Sequence, residues 1–342
     1  MAWELKSIIA FAVASIIFGS SYACVAQGIK YFTPCLFQTF RMLFGFISML
    51  ILCGTLMLLN KSYAKEAKLN MELGFKIFLY VCLGGLFNLG LPHCLTAIAQ
   101  ETVPSSIVQI MQPLIPISGS IFSHFLLSDE RFTIMKFYSF IFGVIGVGLS
   151  ATPSFTHFDK EANSKKMIIG YILTVVSMIS FGFAPVFLKL KTSCVETGIS
   201  VSIQLIASTI FECIFGLFKD GPYLFVNQIT KIEGYCWMWP IIVGILASGI
   251  AMYAMMYLVN SVGAFGANLV PFGQMIVGLL IGVVFLKEWA NYKLWEILIS
   301  IAGCIFLCVS LGISLFDGRT DNDSQKESNT NDEESNESEI RL

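Results

Sequence analysis

Polar and charged residues cluster at intervals along the chain, and long apolar runs fill the spaces between them. Ten such runs stand out, at about residues 7–27, 33–55, 74–97, 103–127, 132–151, 167–188, 197–218, 236–258, 263–286 and 293–315. A helix needs about 20 mostly apolar residues to cross the hydrocarbon of a bilayer. The runs are continuous and lack the roughly ten-residue alternation of a membrane β-barrel. The pattern therefore predicts an all-α integral membrane protein with ten transmembrane helices. Connections between runs are short and leave no room for a soluble catalytic domain. The first run lacks an evident small-residue cleavage site and reads as a span, not a removed signal. After Phe316 the pattern stops, and "DGRTDNDSQKESNTNDEESNESEI" is acidic, polar and free of aromatics, so residues 317–342 read as a disordered tail.

Composition agrees. The 342 residues are 56% hydrophobic and 13% charged, against about 25% charged in soluble domains. A net charge of −2 offers nothing to a nucleic acid, and the lipid bilayer is the implied partner. The ten cysteines show no Cys-x-x-Cys or Cys/His spacing, so neither a metal nor another cofactor is expected, and they read as small packing residues. Short-loop Lys and Arg favour the cytoplasm. With the N-terminus inside, Lys6, Lys61, Lys65, Lys68, Lys76, Arg131 and Lys136 lie inside, against Lys30, Lys160, Lys165 and Lys166 outside. The second half barely votes. An even number of spans then puts both termini in the cytoplasm. Asn60-Lys61-Ser62 fits a glycosylation pattern, and on this topology it stays unmodified.

The two halves echo one another. Pro113 precedes Glu130 by 17 residues, and Pro271 precedes Glu288 by the same 17, at an offset of 158. Phe18-Gly19 in "SIIFGSSYA" matches Phe181-Gly182 in "SMISFGFAP". Five spans per unit is odd, so consecutive units must sit in opposite orientations. Residues 1–152 and 167–316 are thus expected to form two inverted five-helix repeats (5+5) around a central cavity, joined by a loop at 153–166. Inverted repeats are a device of secondary transporters, which place the substrate near mid-membrane between the halves.

"FGSSYA" in span one, Pro34 and Arg41 in "TPCLFQTFRMLFG" of span two, and "PSSIVQIMQPLIPISGSIFSHFLLSDERF" of span four, echoed by "LKE" after span nine, carry a family resemblance. Over about residues 5–315 the chain resembles the drug/metabolite transporter superfamily in its ten-span EamA-like branch. The resemblance implies a 5+5 inverted repeat, a central cavity, peripheral fifth and tenth spans, and small-molecule substrates such as amino acids and drugs. The second copy departs from the pattern, with glycines in "VGAFGANLVPFGQ" where the first has serines and amides.

Helical projection sorts the polar residues onto faces. Ser105, Gln109, Gln112, Pro116, Gly119 and Ser123 of span four fall within about 40° of one line. Lipid cannot satisfy an amide, so this stripe faces protein or a wet cavity; the alternative to a substrate wall is packing through small residues. Pro113 and Pro116 should kink it. Gln274 is the ligand candidate of span nine, beside Pro271. Tyr22 shares a face of span one with Ser15, Gly19 and Ala26, and reads equally well as an interfacial tyrosine. Gln38 and Arg41 share a face of span two. Thr197, Ser200, Gln204 and Ser208 share a face of span seven, with Glu212 about 80° off that line. Arg41 and Glu212 lie roughly 10 Å deep at 1.5 Å per residue. They could form an ion pair that is made in one access state and broken in the other, or be tied and snorkelling separately. Asn88 and His93 are about 140° apart, so both reach one cavity only if Pro92 distorts span three. The resemblance extends to the small multidrug exporters, which rely on a carboxylate within their first span. Span one here holds none, so proton coupling would need His93 or Glu212 as a substitute, with facilitated diffusion or exchange as the alternative. Packing is the other reading of His93.

These features point to a secondary transporter. Alternating access and neutral or zwitterionic, amino-acid-like or drug-like substrates are expected. Alternatives are an exchanger of nucleotide-sugars or phosphorylated metabolites, or a channel or non-transporting receptor. No paired intramembrane carboxylates or oxyanion loop support an enzyme. A homodimer is compatible with the sequence.

Overall fold

The computed structural model describes residues 5–61, 63–65, 74–126, 134–156, 162–192, 194–255, 257–258, 270–287, 289–290, 292–310 and 312–313. Every regular element among them is helical. Among the described residues six helices are long and apolar enough to cross a membrane: α1 (Leu5–Gly28), α2 (Pro34–Leu59), α3 (Phe75–Ala99), α7 (Ala162–Thr192), α8 (Thr197–Asp220) and α10 (Gly234–Met255). The other apolar runs contribute helices that are shorter, interrupted or only partly described. They are α4 (Ser105–Ile110), α5 (Leu114–Leu126), α6 (Ile134–Thr156), α11 (Val270–Leu280) and α12 (Leu294–Ser310). Glu130, Glu288, Asn268, Ser62, the segment before Pro271 and the acidic tail lie outside the described residues.

Prolines explain the interruptions. Pro113 has no N–H, and its ring would strike the carbonyl four residues back. The helix therefore stops at Ile110, passes through three tight turns (Gln112 N to Gln109 O, 3.1 Å; Leu114 N to Met111 O, 3.0 Å; Ile115 N to Gln112 O, 2.9 Å) and restarts at Leu114. Pro116 stands in the first turn of α5, where a missing donor costs little; it is not a second kink. Ahead of Pro92, α3 widens into a π-helical turn at Leu86–Gly90 and resumes at Leu91. Pro271 is the second described residue of α11, and residues 259–269 before it lie outside the described residues, so the kink expected at Pro271 falls at the edge of what the structure describes. Pro185, inside α7, was not singled out by the pattern.

One element was not foreseen. Gly221 adopts φ 78°, and Pro222 then opens a short helix, α9 (Pro222–Lys231). Phe225 tucks it under α8 at Gly216, and the Gln228 Oε1 accepts from the Thr33 N–H at the start of α2 (3.0 Å).

Large apolar side chains cover the exterior, while amides are buried within an interior that is itself largely apolar. Ile16, Ile51, Ile172, Ile214, Leu298 and Ile305 are each about half exposed or more, whereas Gln38, Gln109, Gln112 and Gln204 are buried. This arrangement is what a lipid solvent imposes. Helices meet through small residues. The principal partners are α1 with α11, α5 with α7, α2 with α8, α2 with α10, and α3 with both α7 and α8. A Cβ on Gly19 of α1 would meet Val277 Cβ at 2.7 Å and Gln274 O at 2.8 Å; one on Gly182 of α7 would meet Gly119 N and Ile115 O at 2.6 Å. Gly146 of α6 and Gly303 of α12 lie against one another's carbonyls, flanked by Ser139 and Ser310.

Candidate functional site

A cavity of about 350 Å³ lies among α1, α2, α3, α5, α7, α10 and α11. One end is the layer of Tyr22, Arg41 and His93; from there the lining runs to Ser123 and Lys189, near the C-termini of α5 and α7, and to Val270 of α11. Beyond the deep end, Val25, Phe32, Phe37, Ala97 and Val243 fill the space between helices with apolar side chains.

Arg41 organises the deep end. Its Nε donates to Ser248 Oγ (3.1 Å), and its Nη1 lies 3.3 Å from Gln38 Oε1 and 3.2 Å from His93 Nδ1. A guanidinium only donates, so the imidazole Nδ1 must accept, and His93 is held as its neutral Nε2–H tautomer. The Arg41 Nη2 has no hydrogen-bond partner among the described residues. All three acceptors are neutral, so none cancels its charge. The ring of Phe181 meets the imidazole edge-on at 5.0 Å. Tyr22 accepts from Gln112 Nε2 (2.8 Å), which ties the phenol to the break in span four.

The structure separates the sequence candidates into two groups. Tyr22, Arg41, Asn88, His93, Gln112, Pro116, Pro271 and Gln274 line the cavity. Asn88 and His93 do so together because the π-helical turn Leu86–Gly90, which contains Asn88, shifts the helix register ahead of Pro92 and His93. Gln38, Gln109, Gln204, Glu212, Pro92 and Pro113 do not line it. Gln109 is a tie between helices: its Nε2 donates to Gly19 O (2.8 Å), and it packs on Gly278. A regular helix would put Gln109 and Gln112 on one wall, but the break at Pro113 resets the register after Ile110. Gln204 accepts from Asn88 Nδ2 (2.9 Å) and donates to Ser200 (3.0 Å), joining α8 to α3. Glu212 is wholly buried, with neither carboxylate oxygen hydrogen-bonded among the described residues. It makes no ion pair with Arg41 in this structure.

Several lining residues escaped the sequence reading. Phe18 and Phe181, seen earlier only as markers of an echo, face one another's half across the cavity, and Lys189, Ser248 and Met252 line it too. Ser248 carries no distinguishing pattern, because it matters only through Arg41, 207 residues away. Cys35 and Cys94 have sulfurs 3.6 Å apart, and all ten cysteines are free thiols.

The fold defines a multi-pass helical membrane protein with a cavity in its interior. The EamA-like transporter family model matches residues 5–152 and 168–310. The chain belongs to that family, and it is a transporter of small molecules, not an enzyme. Two transporters of Bacillus subtilis strain 168 whose function is uncharacterised are similar over their length. YoaV is 19% identical across 91% of this chain and 97% of its own, and YvbV is 23% identical across 92% and 88%. A solved crystal structure matches with a TM-score of 0.61 and 15% identity, over 92% of this chain and 98% of the other, and supports the fold alone.

Proposed function

We propose that this protein is a secondary transporter that moves small neutral or zwitterionic metabolites, amino-acid-like or drug-like, by alternating access. The observation that carries the reading is the one-sided cavity. Both halves of the chain build it, its deep end is a layer of tied polar groups, and the space beyond that layer is filled with apolar side chains.

A ten-span architecture of two inverted repeats, 1–152 and 167–316, is supported by which helices touch. Moving five spans along the chain takes the contact of α1 with α11 into that of α7 with the α4–α5 span. It likewise takes α2 with α10 into α8 with α3, and returns α2 with α8 to itself. Gly19 and Gly182 make the close approaches at equivalent positions. The family match falling in two stretches, 5–152 and 168–310, points the same way. With both termini cytoplasmic, the cavity extends toward the cytoplasm, so this arrangement is the inward-facing state. In the outward-facing state, Arg41 and Glu212 pair; here both have a group without a partner. Lys189 in the lining favours a second reading, an exchanger of phosphorylated metabolites.

Flux into proteoliposomes tests this directly. Saturable uptake with counterflow is expected for neutral or zwitterionic solutes, with and without a pH gradient. Non-saturating flux without counterflow would identify a channel, and flux of phosphates alone would favour the second reading.

A further inference from the structure

We propose that the cavity holds its substrate by a carboxylate, docked on Arg41 Nη2, and offers no carboxylate among its described lining residues as a counterpart for an ammonium group. The inference rests on reading the cavity as the transport site. Three observations support it. Arg41 lines the cavity although it is only 2% exposed, and its Nε and Nη1 are tied to Ser248, Gln38 and His93. The guanidinium is thus fixed in orientation, with one terminal nitrogen left to donate. A pre-oriented cation of this kind favours a charge-assisted bond to a carboxylate oxygen, which is shorter and stronger than a neutral one. Its three protein partners are neutral, and among the described residues no carboxylate makes an ion pair with it, so a bound anion can pair with it directly.

Second, the described lining residues contain two cations, Arg41 and Lys189, and no aspartate or glutamate. An ammonium group entering this site would lose hydration without gaining an anionic partner. Third, part of the lining is apolar, with Phe18, Leu89, Phe181 and Met252. At about 350 Å³ the cavity stands near the lower end of ligand pockets, which run from about 300 to 1,000 Å³. These features describe a small amphipathic acid with a carboxylate head and an apolar body. A zwitterion qualifies through its carboxylate alone. A wholly neutral solute leaves Arg41 uncompensated.

Three six-carbon probes that share one branched body separate the head groups: leucine, 4-methylpentanoate and leucinamide. Binding is read by calorimetry on the purified full-length protein in detergent, so that it does not depend on transport. Leucine and 4-methylpentanoate are expected to bind within about threefold of one another, and leucinamide at least about tenfold more weakly. Arg41→Gln should erase the difference, and Arg41→Lys should keep part of it. If Arg41→Gln does not fold, the three probes on the wild-type protein still decide. Leucinamide binding as tightly as leucine overturns the proposal, as does 4-methylpentanoate binding tenfold worse than leucine, or no binding by any of the three. If the acids bind as expected but proteoliposomes show no saturable flux, the carboxylate dock stands and the carrier reading fails. Saturable flux of all three probes alike fails the dock and spares the carrier.

Discussion

Nη1 of Arg41 lies 3.2 Å from Nδ1 of His93, across two helices and 52 residues of sequence. The donor can only be the guanidinium, so the imidazole is an acceptor and its role in this state is to aim a cation. Replacing His93 with Asn, whose Oδ1 can accept in the same region, should keep the melting temperature near wild type. His93→Phe leaves Nη1 with only the long contact to Gln38, and should cost about 1–3 kcal/mol. Thermal unfolding in detergent distinguishes them; equal losses for Asn and Phe would mean that ring packing against Phe181 matters and the bond does not.

Amides that look alike in sequence should behave differently. Gln204 joins α8 to α3 through Asn88 and Ser200, whereas Gln274 lines the cavity with no side-chain hydrogen bond among the described residues. Gln204→Leu should lower stability by about 0.6–1.7 kcal/mol, the range for hydrogen bonds between membrane helices. Gln274→Ala should raise the half-saturating substrate concentration in flux assays with little change in melting. The reverse pattern would exchange their roles.

Close approach of backbones makes a third contrast. Gly182→Ala forces a methyl group against Ser118, Gly119 and Ile115, and Gly19→Ala does the same against Val277 and Gln274. Overpacking of this kind costs about 1–3 kcal/mol. Gly148 of α6 has nothing within 4 Å of an added Cβ, so Gly148→Ala should leave stability unchanged or raise it by about 0.5–1 kcal/mol through helix propensity. Melting curves of the three variants check the ranking.

Glu212 is buried with neither oxygen bonded among the described residues, so Glu212→Gln should not lower the stability of this state. If Arg41 and Glu212 pair in the outward-facing state, Glu212→Gln should slow flux while leaving binding by the inward-facing protein unchanged, because Glu212 does not line the cavity. Flux equal to wild type in Glu212→Gln excludes a role for the pair.

Much of the architecture was legible because a membrane writes itself into the sequence. Lipid cannot hydrogen-bond, so apolar runs of spanning length and helices go together. The family was legible in the fourth-span pattern and its echo. The polar stripe of span four was only half legible. Gln112 and Gln109 are three positions apart, and helical projection puts them on one wall, yet Pro113 breaks the helix just beyond them, and Gln109 turns to Gly19 instead. Projection assumes regular geometry, and the prolines that mark a transporter are also what make that assumption fail. At Pro92 the same effect worked in the opposite sense, since the π-helical turn brings Asn88 and His93 to one cavity.

By itself the sequence determined the helical class, the family and the positions of Arg41, Tyr22, His93 and the amides, because burial in lipid constrains composition residue by residue. The tertiary structure decided which of those groups meet. Arg41 finds Ser248 and His93 and not Glu212, Gln204 ties helices together, and Phe18, Phe181 and Lys189 become walls. Such contacts depend on helix register and on where a π-turn or a proline break shifts it, and that shift of a fraction of a turn is set by packing between helices far apart in the chain.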